Sequence, residues 1–154
     1  TNSLHYKLCC EGAKWLHKHM IRDRNDDWIG TCKIVAIELV TAGAENPDVW
    51  GLAGGNSAVI EVKTSRSDFL HDKKKLCRKM ENYSCGNYRY YLVPEGLVSE
   101  EEIPEKWGLL YWTGTEIKLI RKPLFIHCAN FGDLCMLSSI ARREGVKNKI
   151  YNYR

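Results

Sequence analysis

Pro47-Asp48-Val49-Trp50-Gly51-Leu52-Ala53-Gly54-Gly55-Asn56-Ser57-Ala58-Val59-Ile60-Glu61-Val62-Lys63 holds two apolar segments joined by a pair of glycines. Gly54-Gly55 reads as a turn, and the run Ala58-Val59-Ile60 reads as a strand leading into Glu61-Val62-Lys63. Successive side chains of a strand alternate between faces, so Glu61 and Lys63 point one way and Val62 points into the opposite, packed face. If the turn folds the segment from Pro47 to Leu52 back beside this strand, Asp48 approaches Glu61. Two carboxylates that close repel unless a cation or a proton joins them. The stretch is therefore a candidate seat for a divalent metal.

Outward from it, the pattern alternates between helix and strand. Leu4, Leu8, Trp15, Leu16 and Met20 recur at helical spacing behind Ser3 as N-cap, with Lys7, Lys14 and Lys18 on the polar face. The cluster Asp23 to Asp27 reads as a loop, and Lys33 to Val40 as a strand containing Glu38. A carboxylate within an apolar strand is costly to bury unpaired, so Glu38 either belongs to the site or faces solvent at a sheet edge. After Lys63, Ser65-Arg66-Ser67-Asp68 matches a capping box and predicts a helix through Phe69, Leu70, Lys73, Leu76, Cys77 and Met80. Tyr88 to Val93 predicts a strand stopped by Pro94-Glu95-Gly96, and an acidic segment, Ser99 to Glu102, ends near Pro104. Leu109 to Trp112 and Ile117 to Ile120 flank Thr113-Gly114-Thr115 as a hairpin, and Leu134, Leu137, Ile140 and Ala141 form the apolar stripe of a last helix ending at Gly145. This order predicts a mixed α/β fold, a central β-sheet flanked by α-helices, in one domain over residues 1–154.

At 154 residues and 44% hydrophobic content, the chain is long enough for one proper core. A net charge of +4 permits a polyanionic partner without establishing one. The seven cysteines are odd in number and contain no CxxC, which argues against a disulfide framework and a zinc ribbon and for reduced thiols. Cys77, Cys85, Cys128 and Cys135 lack the close spacing of an iron–sulfur set. With no long apolar run and no signal-peptide pattern, the expectation is a cytoplasmic protein without a membrane partner.

A Glu-x-Lys triplet is weak evidence alone, and Glu116-Ile117-Lys118, with Pro104-Glu105 upstream, supplies a second one. Context separates them: Glu61 ends a buried-looking strand before a capped basic helix, whereas Glu116 follows a tight turn at the start of a solvent-facing strand. Glu38, Pro47-Asp48 and Glu61-Val62-Lys63 together resemble the PD-(D/E)XK nuclease superfamily. The continuation through Ser65, Asp68-Phe69 and Asp72-Lys73 is similar to the MmcB-like proteins linked to DNA repair, as are the tyrosine-rich strand ending at Val93-Pro94 and the later Pro104 with Gly108-Leu109. The resemblance covers Glu38 to Trp112 and implies a restriction-endonuclease-like sheet.

It also implies a chemistry, phosphodiester hydrolysis in DNA, with RNA also open. Asp48 and Glu61 would ligate Mg²⁺, with Mn²⁺ as a substitute, the Val62 carbonyl as a third ligand and Glu38 acting through water or on a second ion. Lys63 would orient or help deprotonate the attacking water. Asp68 and Asp72, one helical turn apart, are part of the resembling segment and would support these ligands from behind; a surface pairing of Asp72 with Lys75 or Lys79 accounts for it equally well. Independently of the resemblance, Arg66, Lys73, Lys74, Lys75, Arg78 and Lys79 concentrate positive charge on the helix after the site, as a phosphate backbone requires, although charge runs are also ordinary solvated surface. His17 and His19 point to different sides of a helix and make a poor metal pair, His71 reads as a surface or satisfied core residue more than as a group that protonates a leaving group, and Tyr88, Tyr90 and Tyr91 read as sheet packing rather than base-stacking groups. The alternative to an enzyme is a nucleic-acid-binding scaffold that keeps the fold without turnover.

Overall fold

In the computed structural model, which describes residues 3–41, 45–72, 74, 85–128, 130–146 and 150–152, helix α1 (Ser3–Lys18) precedes a short ribbon of β1 (Ile21–Arg22) and β2 (Trp28–Gly30). Then come β3 (Ile34–Ile37), β4 (Val49–Ala53), β5 (Asn56–Val62), α2 (Arg66–Asp72), β6 (Tyr88–Pro94), a 3₁₀ turn (Glu100–Glu102), β7 (Gly108–Trp112), β8 (Ile117–Arg121) and α3 (Phe131–Arg143). Strands β3 to β8 form one six-stranded sheet in sequence order. The β5–β6 and β6–β7 pairs are parallel and the other three antiparallel, so the fold is mixed α/β. Among the described residues no helix is long and apolar enough to cross a membrane.

The expected turn at Gly54-Gly55 joins β4 to β5, and Thr113-Gly114-Thr115 joins β7 to β8. β5 and β6 read as nearly continuous apolar runs because both of their faces are covered. On one face, Leu8 and Leu16 of α1 pack with Val49, Ile60, Val62, Tyr90, Leu92 and Leu110. On the other, Phe69 of α2 joins Tyr91, Val93, Leu109 and Trp107, while Met136 of α3 joins Trp50, Val59 and Cys85. Gly51 lets the segment before β3 pack close, since an added Cβ would fall 2.8 Å from Cys32 Sγ, with Leu16 Cδ1 of α1 at 3.3 Å.

Three expectations change. Strand β3 stops at Ile37, and Glu38 follows it with a left-handed backbone, φ 50°, instead of lying within a strand from Lys33 to Val40. The β1–β2 ribbon adds two short strands ahead of β3. Helix α3 buries Gly132, Met136 and Ser139, whereas Leu134 and Leu137 of the expected apolar stripe are exposed. Ser65 caps α2 as expected, its hydroxyl accepting the Asp68 N–H at 3.2 Å. The rest of the expected helix, including Leu76, Cys77 and Met80, lies outside the described residues.

Candidate active site

The antiparallel ladders carry three carboxylates to one end of the sheet. Ile37 pairs with Val49, and Val49 with Ile60. One step further along each strand stand Glu38, Asp48 and Glu61, level with one another. The Glu38 N–H donates to the Asp48 carbonyl at 2.8 Å, and the Val62 N–H donates to Asp48 Oδ2 at 2.8 Å. Asp48 is thus held by backbone groups from both neighbouring strands. The Lys63 N–H donates the other way, to the Leu92 carbonyl at 3.1 Å. Because the N–H and C=O of one strand residue leave on the same side, the Val62 carbonyl faces the Asp48 side.

Alternation on β5 works as the sequence indicates. Val62 lies in the α1 core, and Glu61, 3% exposed, points to the opposite face. Lys63, its side chain 13% exposed, makes an ion pair at 3.2 Å with Asp72 Oδ1 of α2. Asp72 is wholly buried, and Tyr91 Oη donates to its second oxygen at 2.5 Å. Tyr91 in turn stacks on Trp107 at 4.4 Å and meets Phe69 edge-on. Asp72 thus pairs with Lys63 itself, inside the fold, while Lys75 and Lys79 lie outside the described residues. A buried pair holds one geometry only when its remaining hydrogen-bonding positions are satisfied, and Tyr91 does that here. Asp68 stays exposed on the first turn of α2.

Sequence reasoning missed the contribution of α1. His5 and Cys9, four residues apart, lie on one side of the helix and meet the carboxylates. His5 Nε2 is 3.5 Å from Asp48 Oδ1, and His5 Nδ1 is 3.5 Å from Glu38 Oε1. The Cys9 thiol sits 3.8 Å from His5 Nδ1 and 4.0 Å from Glu38 Oε1. Burial, then the charges of Asp48, Glu38, Cys10 and Glu61, push this thiol up to about 12. All three carboxylates thus act on one sulfur. The signal was the i, i+4 spacing of His5 and Cys9, which gains meaning only once the strand ends are known.

The basic residues divide. Arg66 does not project freely toward a phosphate backbone as expected: it makes a bidentate pair with Glu102 at 2.6 and 3.1 Å and donates to the Leu97 carbonyl at 2.9 Å. Arg66, with the Ser99 N–H, holds the Glu102 carboxyl down at about 2. Lys74 is exposed, while Lys73, Lys75, Arg78 and Lys79 lie outside the described residues. Tyr88, Tyr90 and Tyr91 are buried in the sheet, as expected. The competing triplet is exposed at Glu116 and Lys118 and starts β8, three strands away from β5. His17 approaches the Cys32 carbonyl at 2.9 Å, and His19 stacks on Trp15, so neither joins the site.

No protein-family model matches the chain, and no curated protein matches it. Among solved structures, a protein of unknown function from Silicibacter pomeroyi is similar at 23% identity and a TM-score of 0.49, over 77% of this chain and 85% of that one.

Proposed function

We propose that this protein is a metal-dependent nuclease that hydrolyses phosphodiester bonds in DNA, in repair or in processing, and that it uses Mg²⁺ or, in its stead, Mn²⁺. One observation carries the reading: Glu38, Asp48 and Glu61 stand level at the ends of three neighbouring strands, with Lys63 two residues on from Glu61 and tied down by Asp72. The donors fit a hard cation. Asp48 gives one carboxylate oxygen to the Val62 N–H and turns the other toward His5 Nε2 at 3.5 Å; with the Glu61 carboxylate and the Val62 carbonyl it would make an all-oxygen set of the kind Mg²⁺ takes together with several waters. Glu38, more exposed, would act through water.

When bound, the ion supplies Lewis acidity, which makes water a nucleophile and neutralises charge on the scissile phosphate. The chain's own groups do the rest. Lys63, anchored by Asp72 and Tyr91, fits a fixed cation that orients the attacking water and meets charge growing on the phosphate oxygens, more than a base that must give up its proton. Lys74 and the basic residues from Lys73 to Lys79 would hold the backbone, which fixes position without reading sequence. The setting that accompanies this reading is the cytoplasm.

Single-stranded, duplex and branched DNA, and RNA of matched sequence, incubated with the protein in Mg²⁺, Mn²⁺ or EDTA, test it. Cleavage should require the metal and fall by about 10²-fold or more in Asp48→Asn, the scale on which a lost electrostatic contact to the transition state is felt. Tight DNA binding by the wild type with no metal-dependent cleavage would replace the enzyme by a scaffold.

A further inference from the structure

The donors around Asp48 are not all hard. One donor atom from each of His5, Cys9 and Asp48 lies within 4.8 Å of the other two. His5 Nε2 stands 3.5 Å from Asp48 Oδ1, and His5 Nδ1 stands 3.8 Å from Cys9 Sγ. Donors that share one tetrahedral ion at zinc distances are roughly 3.3–3.6 Å apart, and because the two ring nitrogens face Asp48 and Cys9 separately, a turn of the His5 ring closes the set on one of them. With the Asp48-facing Nε2 on the ion, Nδ1 keeps the Glu38 carboxylate beside it at 3.5 Å. Such an outer carboxylate orients a metal-bound imidazole. Thiolate and imidazole are donors that Zn²⁺ takes readily and Mg²⁺ does not.

We propose that His5, Cys9 and Asp48 form a binding site for a soft divalent transition metal, Zn²⁺ in the first place, that differs in donor chemistry from the all-oxygen set and meets it at Asp48. Water takes the fourth position, and Glu38 stays beside Nδ1. The Cys9 thiol gives its proton to solvent as the metal–sulfur bond forms. Cys9 itself is buried, but the side chains of Asp48 and His5 are 19% and 30% exposed, which leaves a way in past the carboxylate. Because Asp48 serves both sets, Zn²⁺ in this site withdraws it from Mg²⁺ and switches cleavage off; this last clause alone rests on the nuclease reading.

Cobalt substitution tests the site without any activity. Titration of the full chain with Co²⁺ should give tetrahedral d–d bands and a sulfur-to-cobalt charge-transfer band at about one ion per chain, both removed by Zn²⁺. Cys9→Ser should lose the charge-transfer band, and Cys10→Ser, at the adjacent thiol, should keep it. His5→Gln, on a residue whose side chain is 30% exposed, should weaken Zn²⁺ binding by more than the roughly 10–100-fold that a lost outer partner costs. Absence of the band in the wild type, its survival in Cys9→Ser, or unchanged affinity in His5→Gln would overturn the site. A cobalt spectrum without DNA cleavage would leave the site standing and remove the nuclease; cleavage without the spectrum would do the reverse.

Discussion

Lys63 and Asp72 are the pair whose rupture should be felt most. Asp72 is fully buried and Lys63 nearly so, and removing one member of such a pair strands the other charge away from water. Asp72→Asn should lower stability by about 3 kcal/mol, within the range for broken buried pairs. Tyr91→Phe, which removes one hydrogen bond to a charged acceptor and keeps the ring packed on Trp107, should cost about 1.5 kcal/mol. Urea unfolding midpoints at constant slope would measure both. Alternation on β5 made the shared side of Glu61 and Lys63 readable from sequence, because period two is set by backbone geometry alone. The partner of Lys63 was not readable in that way, since Asp72 lies on another element and competed on paper with Lys75 and Lys79, which offer the same charge at helical spacing.

Among the elements, α3 is the sharpest test of hydropathy against packing. Its buried face runs through Gly132, Met136 and Ser139, and a Cβ added at Gly132 would meet Cys85 Cβ at 2.9 Å. Small residues allow the helix to sit close to the sheet, and this is invisible to a reading that follows leucines. Leu134→Ser, at 62% exposure, should therefore change stability by less than about 0.5 kcal/mol. Met136→Ala, wholly buried, should cost about 2–5 kcal/mol by thermal or urea unfolding. The 3₁₀ turn is linked to α2 through Glu102 and Arg66. The Glu102 carboxyl lies at about 2, below its ordinary 4.5, so its contribution to stability is present above 4.5 and lost as pH falls toward 2. Wild type should exceed Glu102→Gln in stability near pH 6, with the difference closing over that window in unfolding curves taken at successive pH values. Both hairpins and the Ser65 cap were legible because each rests on local chemistry. The end of β3 was not, since an apolar run from Lys33 to Val40 carries no mark of the left-handed turn at Glu38. The β1–β2 ribbon is too short, and too irregular in its pairing, to show alternation.

At the scale of the whole molecule, the candidate site is an assembly point for segments far apart in the chain. Helix α1 brings His5 and Cys9, the ends of three strands bring Glu38, Asp48 and Glu61, and α2 brings Asp72 behind Lys63. Asp48, Glu61 and Lys63 could be anticipated because they lie within one turn-linked pattern; the α1 residues could not, since only the tertiary arrangement of helix against sheet puts them there. What the arrangement is for turns on whether Lys63 serves chemistry or merely stability. Single-turnover cleavage of end-labelled DNA in Mg²⁺, with protein in excess, compares wild type with Lys63→Ala under conditions where circular dichroism shows both folded. The nuclease account predicts at least about 10²-fold slower cleavage in the variant, the loss expected for one charge-stabilising or proton-handling group. Equal rates in the two proteins would contradict it.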